Sequence, residues 1–137
     1  MSPGREVVSH PLPWGLLRLG ICYDLRFPEL FRLDPAPDFI ALPAAFTHTT
    51  GLAHWALLLR ARAVENLAFV FASAQGGHHP GGRRTFGHSM IIDPWGRVLA
   101  QVEEGQGLAI ATLDLAAQRR VRSQLPALTH RKIAVGP

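Results

Sequence analysis

Apolar and polar positions along the chain fall into short blocks, none of them repeated. Leu16-Leu17-Arg18-Leu19-Gly20-Ile21 is a mostly apolar run of strand length and belongs to a predicted strand from Trp14 to Ile21. Residues 1–13 ahead of it read as a polar, proline-bearing lead-in. Phe27 to about Leu33 is a predicted short helix. Pro28 suits its first turn, and Asp34-Pro35-Ala36-Pro37 stops it. Phe39 to Leu42 reads as a buried strand ended by Pro43. Leu52 to about Leu67 is the longest predicted helix. Leu52, Trp55, Leu57, Leu58, Leu59 and Val64 place apolar surface all round it, interrupted by Arg60, Arg62 and Glu65. Ala68 to Ser73 is a strand, and Ala74 to Arg84 is a loop holding Gly76, Gly77, Gly81 and Gly82. Met90 to Asp93 and Val98 to Val102 form a hairpin across Pro94-Trp95-Gly96-Arg97. Leu108 to Asp114 is the last strand and Leu115 to Gln124 the last helix. Strands alternating with helices, then a hairpin, predict an α/β or α+β fold.

Size and composition narrow the classes. A chain of 137 residues with 47% apolar residues is one domain at most and is not disordered. No apolar stretch approaches the length of a membrane span, and Ser2 to His10 lack the apolar core of a signal peptide. A single cysteine excludes an internal disulfide framework and fits a reducing, cytoplasmic location. The formal charge of +4 raises a nucleic-acid reading, with Arg83-Arg84 and Arg119, Arg120, Arg122, Arg131 and Lys132 as patches. No aromatic residues are interleaved with them, as a single-strand stacking platform requires, so a solvated basic face is the better reading.

The lone cysteine, Cys22, follows the first apolar run and precedes Pro28. A thiol at a strand-to-helix corner is placed to act as a nucleophile, and helix-end amides favour its thiolate form. A buried core cysteine is the competing reading.

The neighbours favour the nucleophile. Gly20-Ile21-Cys22-Tyr23-Asp24-Leu25-Arg26-Phe27-Pro28-Glu29-Leu30 closely resembles the nucleophile segment of the nitrilase, or carbon–nitrogen hydrolase, superfamily. Asp38 to Phe46, His54-Trp55 through Asn66, and Thr85 to Gly96 resemble later segments of the same family in the same order. The likeness runs from about residue 13 to about residue 131 and is nearest to the Nit-type omega-amidase and deaminated-glutathione-amidase branch. It implies an α-β-β-α sandwich and a Glu-Lys-Cys triad without metal or organic cofactor. The cysteine attacks an amide or nitrile carbon, the glutamate is general base, and the lysine helps hold the oxyanion. In the family both lie N-terminal to the cysteine segment. Here Glu6 is the only acid ahead of Cys22, and Lys132, the only lysine, matches no family position. The expectation is therefore one partial domain over residues 1–137, the C-terminal half of a sandwich. The helix after Cys22 is shorter than the family's by about two residues, which bears on how the corner is seated.

By this resemblance Cys22 is the nucleophile and the backbone amide of Tyr23 an oxyanion donor. Asp24, Arg26 and Glu29 are expected to form a structural charge cluster at the corner, with substrate contact as the lesser reading. His54 and Trp55 are expected to pack beneath the site, and Glu65 to pair with Arg62 at i−3. Arg83 or Arg84 is the expected partner for a substrate carboxylate. A papain-like arrangement would need His54 or His88 beside Cys22. His78, His79 and His88 lack the spacing a structural zinc prefers, so no metal is expected.

The expected function is hydrolysis of a small carboxamide through a cysteine thioester, with little turnover by this chain alone. The alternatives are a non-catalytic portion that completes a sandwich with another chain, and, more weakly, an arginine-rich nucleic-acid binder. The expected partners are a small-molecule amide and a second copy or complementing chain, with no nucleic acid and no membrane. Uncovered apolar sheet surface predicts poor solubility or pairing for the isolated chain.

Overall fold

The computed structural model describes residues 4–133. Its main sheet has six strands in the order β1-β2-β3-β4-β7-β8: β1 Ser9–Leu12, β2 Gly15–Leu19, β3 Phe39–Ala44, β4 Phe69–Ala74, β7 Ser89–Ile92 and β8 Val98–Val102. The middle three, β2, β3 and β4, run parallel, and antiparallel hairpins flank them. Helices α1 (Pro28–Phe31), α2 (His48–Thr50) and α3 (Ala56–Asn66) supply the crossovers, and α4 (Leu115–Gln124) closes the described chain. A small second sheet pairs β5 (Gly76–His78) with β6 (Arg84–Phe86). The mixed α/β class is as expected.

Alternation along the strands sets the core. Ile40, Leu42, Val70, Ala72, Met90 and Ile92 point to one face and pack with Leu25, Phe31, Trp55, Leu59 and Ala63. The opposite face carries Ala41, Phe71 and Ile91, all half-buried. Shallow cavities of about 270 and 340 Å³ lie over it, the first bounded by Leu113 and Leu115 and the second by Leu108.

Several boundaries differ from the sequence reading. Part of the supposed lead-in is strand β1, a sheet edge where Pro11 is tolerated; residues 1–3 of that lead-in lie outside the described residues. Strand β3 continues through Pro43 to Ala44. Its pairing with β2 ends at Ala41, so no β2 partner is left opposite the proline that lacks an N–H. The first helix is only the single turn Pro28–Phe31. Buried Arg18 reaches it from β2 and donates to the carbonyls of Leu30, Leu33 and Pro35 at 3.2, 3.1 and 2.7 Å, which fixes its early end. Burial lowers the pKa of Arg18, and nearby Asp34 opposes that shift.

The long helix is not uniform. It begins at His48, takes one wide π turn over Gly51–Trp55, and continues as α3 until Leu67 turns left-handed at φ +46°. Only one side meets the sheet, so Leu52 and Leu57 remain exposed. The glycine loop is partly ordered as the β5–β6 hairpin, with His79 Nε2 2.6 Å from the Thr85 hydroxyl. Leu108 to Asp114 forms no strand; among the described residues nothing pairs with it, and Leu108 and Ile110 are 86% and 80% exposed.

Candidate active site

The first three parallel strands end at one edge of the sheet, and Cys22 stands just past the end of β2. In open parallel sheets, ligands gather outside the carboxyl ends of strands. Here Ile21 and Cys22 after β2, Ala45 after β3, and Gln75 after β4 border one open groove of about 490 Å³. Cys22 also borders a second, about 340 Å³, with Tyr23, Arg26, Phe46, Thr47, Thr50 and Arg83. Half-buried Cys22 thus borders both.

The corner is rigid for local reasons. Cys22 has φ +48°, a left-handed conformation that costs a non-glycine residue roughly 1–2 kcal/mol. It opens a 3-10 turn, Cys22–Arg26. The Asp24 carboxylate accepts from the Ile21 N–H at 2.8 Å, while the Asp24 N–H donates to the Ile21 carbonyl at 3.0 Å. Leu25 is fully buried below, and its carbonyl accepts from Arg62 Nη2 at 2.6 Å. Gly20 is required by close approach, because a Cβ there would meet the Phe31 ring at 2.8 Å. Among the described residues the N–H of Tyr23 has no acceptor, so it is free to serve a ligand.

The predicted charge cluster is not a cluster. Asp24 is spent on the backbone, Glu29 is exposed, and no ion pair joins them to Arg26 among the described residues. The separation follows from the turn, which gives each side chain a different neighbour. Arg26 lies with its guanidinium carbon 5.0 Å from the Phe46 ring centre and 5.9 Å from that of Tyr23. Its Nη1 is 3.3 Å from His54 Nδ1. Trp55 is fully buried, its ring 5.1 Å from that of Phe46, and its indole N–H donates to the His88 carbonyl at 2.8 Å. The Arg62–Glu65 pair forms at 2.9 Å.

Arg83 and Arg84 part company. Arg83 borders the Cys22 cavity and donates to the Ala45 carbonyl at 3.0 Å. Arg84 instead reaches Glu104 at 3.5 Å, an exposed pair. Neither His54 nor His88 borders the cavity, so the papain-like geometry is not formed. Phe46, Thr47 and Thr50 were not singled out from the sequence; their signal was their place in the strand-loop segment after β3. The second basic group is dispersed: Arg122 pairs with Asp38 at 2.6 Å, Arg131 with Asp34 at 2.9 Å, and Arg120 with Asp114 at 3.5 Å. Among the described residues no helix is long and apolar enough to cross a membrane.

The assembled corner offers a thiol, one free backbone N–H and two guanidinium groups, with no carboxylate bordering the cavity among the described residues. Such a set suits attack on a carbonyl carbon in an anionic molecule.

The family model described as carbon-nitrogen hydrolase matches residues 1–123. A deaminated glutathione amidase from Synechocystis is 51% identical over 126 residues, spanning 90% of this chain and 46% of the relative. The human protein of that name is 46% identical over 133 residues, spanning 95% and 41%. The crystal structure of Saccharomyces cerevisiae Nit3, a member of branch 10 of the nitrilase superfamily, superposes with a TM-score of 0.89 at 33% identity, covering 97% of this chain and 50% of that one. The chain thus spans about half the length of the relatives it matches.

Proposed function

Because the chain belongs to the carbon–nitrogen hydrolase family, we propose that Cys22 is the nucleophile of an amidase acting on a small carboxamide. The carrying observation is the left-handed Cys22 at the shared carboxyl edge of parallel strands, opening on a cavity that holds two cations. The thiolate adds to the amide carbon, and the carbonyl electrons move to oxygen. The Tyr23 N–H donates to that oxyanion. The carbon–nitrogen bond breaks, and nitrogen leaves as ammonia after taking a proton. Water then cleaves the thioester, giving the acid and returning the thiol.

Arg26 and Arg83 set which amide enters, by pairing with a carboxylate on its unreactive end. The name of the relatives, deaminated glutathione amidase, supports this choice. Glu65 and Arg62 serve the corner from behind rather than the substrate. Among the described residues, the glutamate base and the lysine that the family chemistry requires have no counterpart bordering the Cys22 cavity. Turnover therefore needs a segment that supplies them, and this polypeptide alone is expected to release little ammonia.

The test is ammonia release from omega-amides of dicarboxylic acids, by the chain alone and co-expressed with such a segment. Cys22-dependent release only in the second case is expected; robust release by the chain alone overturns the inactivity reading. A second reading is favoured by the half-covered sheet face and by exposed Leu108 and Ile110: the chain serves as one portion of a sandwich completed by another polypeptide. Co-purification without Cys22-dependent turnover would select it.

A further inference from the structure

Among the described residues Arg26 has no carboxylate partner and one side-chain hydrogen bond, to His54 Nδ1 at 3.3 Å. A guanidinium offers only N–H groups, so Nδ1 is the acceptor in this hydrogen bond. His54 itself does not border the Cys22 cavity; it stands behind Arg26. It lies in the π turn Gly51–Trp55, whose extra residue redirects the helix face. Gly51 fixes that turn against β6, since a Cβ there would meet Phe86 Cβ at 2.3 Å. Arg26 is thus held from two sides, by the Phe46 ring and by one imidazole nitrogen.

We propose that His54 is a positioning residue: by accepting from Arg26 it holds the guanidinium in the cavity beside Cys22, where it draws in the carboxylate of the substrate. The proposal rests on the reading of Cys22 as nucleophile and Arg26 as anion contact. Without the acceptor, Arg26 swings through its free rotamers, and recognition of anions weakens while attack on neutral electrophiles does not. A group that merely supports the fold would affect both alike.

The test needs no turnover. Cys22 of the intact chain is alkylated with iodoacetate and with iodoacetamide, which differ in the carboxylate, and the ratio of the two rates is taken. Arg26→Gln is expected to lower that ratio about tenfold, a scale set by one charge-assisted contact. His54→Leu and His54→Phe are expected to lower it in the same direction. His54→Asn, whose Oδ1 stands near the place of Nδ1, is expected to restore most of it. Thermal melts identify a variant that fails to fold, and the Phe and Asn variants then decide. A ratio lowered by Arg26→Gln but unchanged by His54→Leu and His54→Phe overturns the role of His54 and leaves the parent reading intact. A Cys22 inert to both reagents in the folded chain overturns the parent reading, and this one with it.

Discussion

Arginines stand at both ends of the parallel strands, and they are used in opposite ways. At the end where β3 and β4 begin, Arg122 donates to Asp38 and to the carbonyls of Leu67, Pro37 and Asn66. Gln118 adds bonds to the Asp38 and Leu67 carbonyls, and Asp38 also accepts from the Leu16 N–H. Every partner there is built into the chain, and the result is a lock between α4 and the sheet. At the other end the side chains of Arg26 and Arg83 each make one hydrogen bond among the described residues. A guanidinium has five N–H donors. Donors left over beside a half-buried thiol are capacity for a ligand; donors consumed by carbonyls are architecture.

The comparison can be broken at several places. The largest effect is expected from Cys22→Ala, which should remove ammonia release from the completed enzyme by several orders of magnitude; turnover within a few-fold of the parent would move the chemistry elsewhere. Next, Arg122→Ala should cost roughly 3 kcal/mol by removing the cation beside Asp38 and stranding the carbonyls of Pro37 and Asn66. Urea unfolding measures this, and the alkylation rate of Cys22 in the folded chain should stay constant. Arg62→Met should cost about 2 kcal/mol by leaving the Leu25 carbonyl unpaired. Unlike Arg122→Ala it should also change Cys22 alkylation, because Leu25 belongs to the same turn. Equal effects of the two substitutions on alkylation would erase the distinction between the ends.

A smaller contrast tests the strain at the corner. Cys22→Gly should be more stable than Cys22→Ala by about 1 kcal/mol, since only glycine takes φ +48° without penalty. The smallest effect concerns the lock. Asp114 caps α4 by accepting from the Ala117 N–H at 2.8 Å, and that bond lowers its pKa, with Arg120 acting in the same sense. A carboxylate with a depressed folded pKa contributes stability above its unfolded pKa and loses it as pH falls through the folded value. Asp114→Asn keeps the cap and should flatten this acid-side loss, read by melts across a pH series.

Much of this was legible in the sequence, but unevenly. The corner and its thiol followed from Cys22, Pro28 and the apolar run between Leu16 and Ile21. The i−3 pair of Arg62 and Glu65 needed only helical spacing. What failed depended on distant neighbours. Arg18 looked like an interruption in an apolar strand, yet it ends α1 through three carbonyls brought near by folding. Leu108 to Asp114 had strand composition, but a strand needs an edge, and none of the described strands pairs with it. The charge cluster of Asp24, Arg26 and Glu29 was inferred from adjacency, whereas a 3-10 turn points neighbouring side chains in different directions. Choosing Arg83 over Arg84 required knowing which side of β6 faces the cavity.

The most direct measurement is the acylation of Cys22 by a small p-nitrophenyl ester, followed by release of p-nitrophenol and by intact mass. If Cys22 and the Tyr23 N–H act as proposed, the folded chain should acylate faster than the same chain unfolded in urea, with the adduct on Cys22. Slower acylation when folded, or an adduct on another residue, would contradict a nucleophile at this corner.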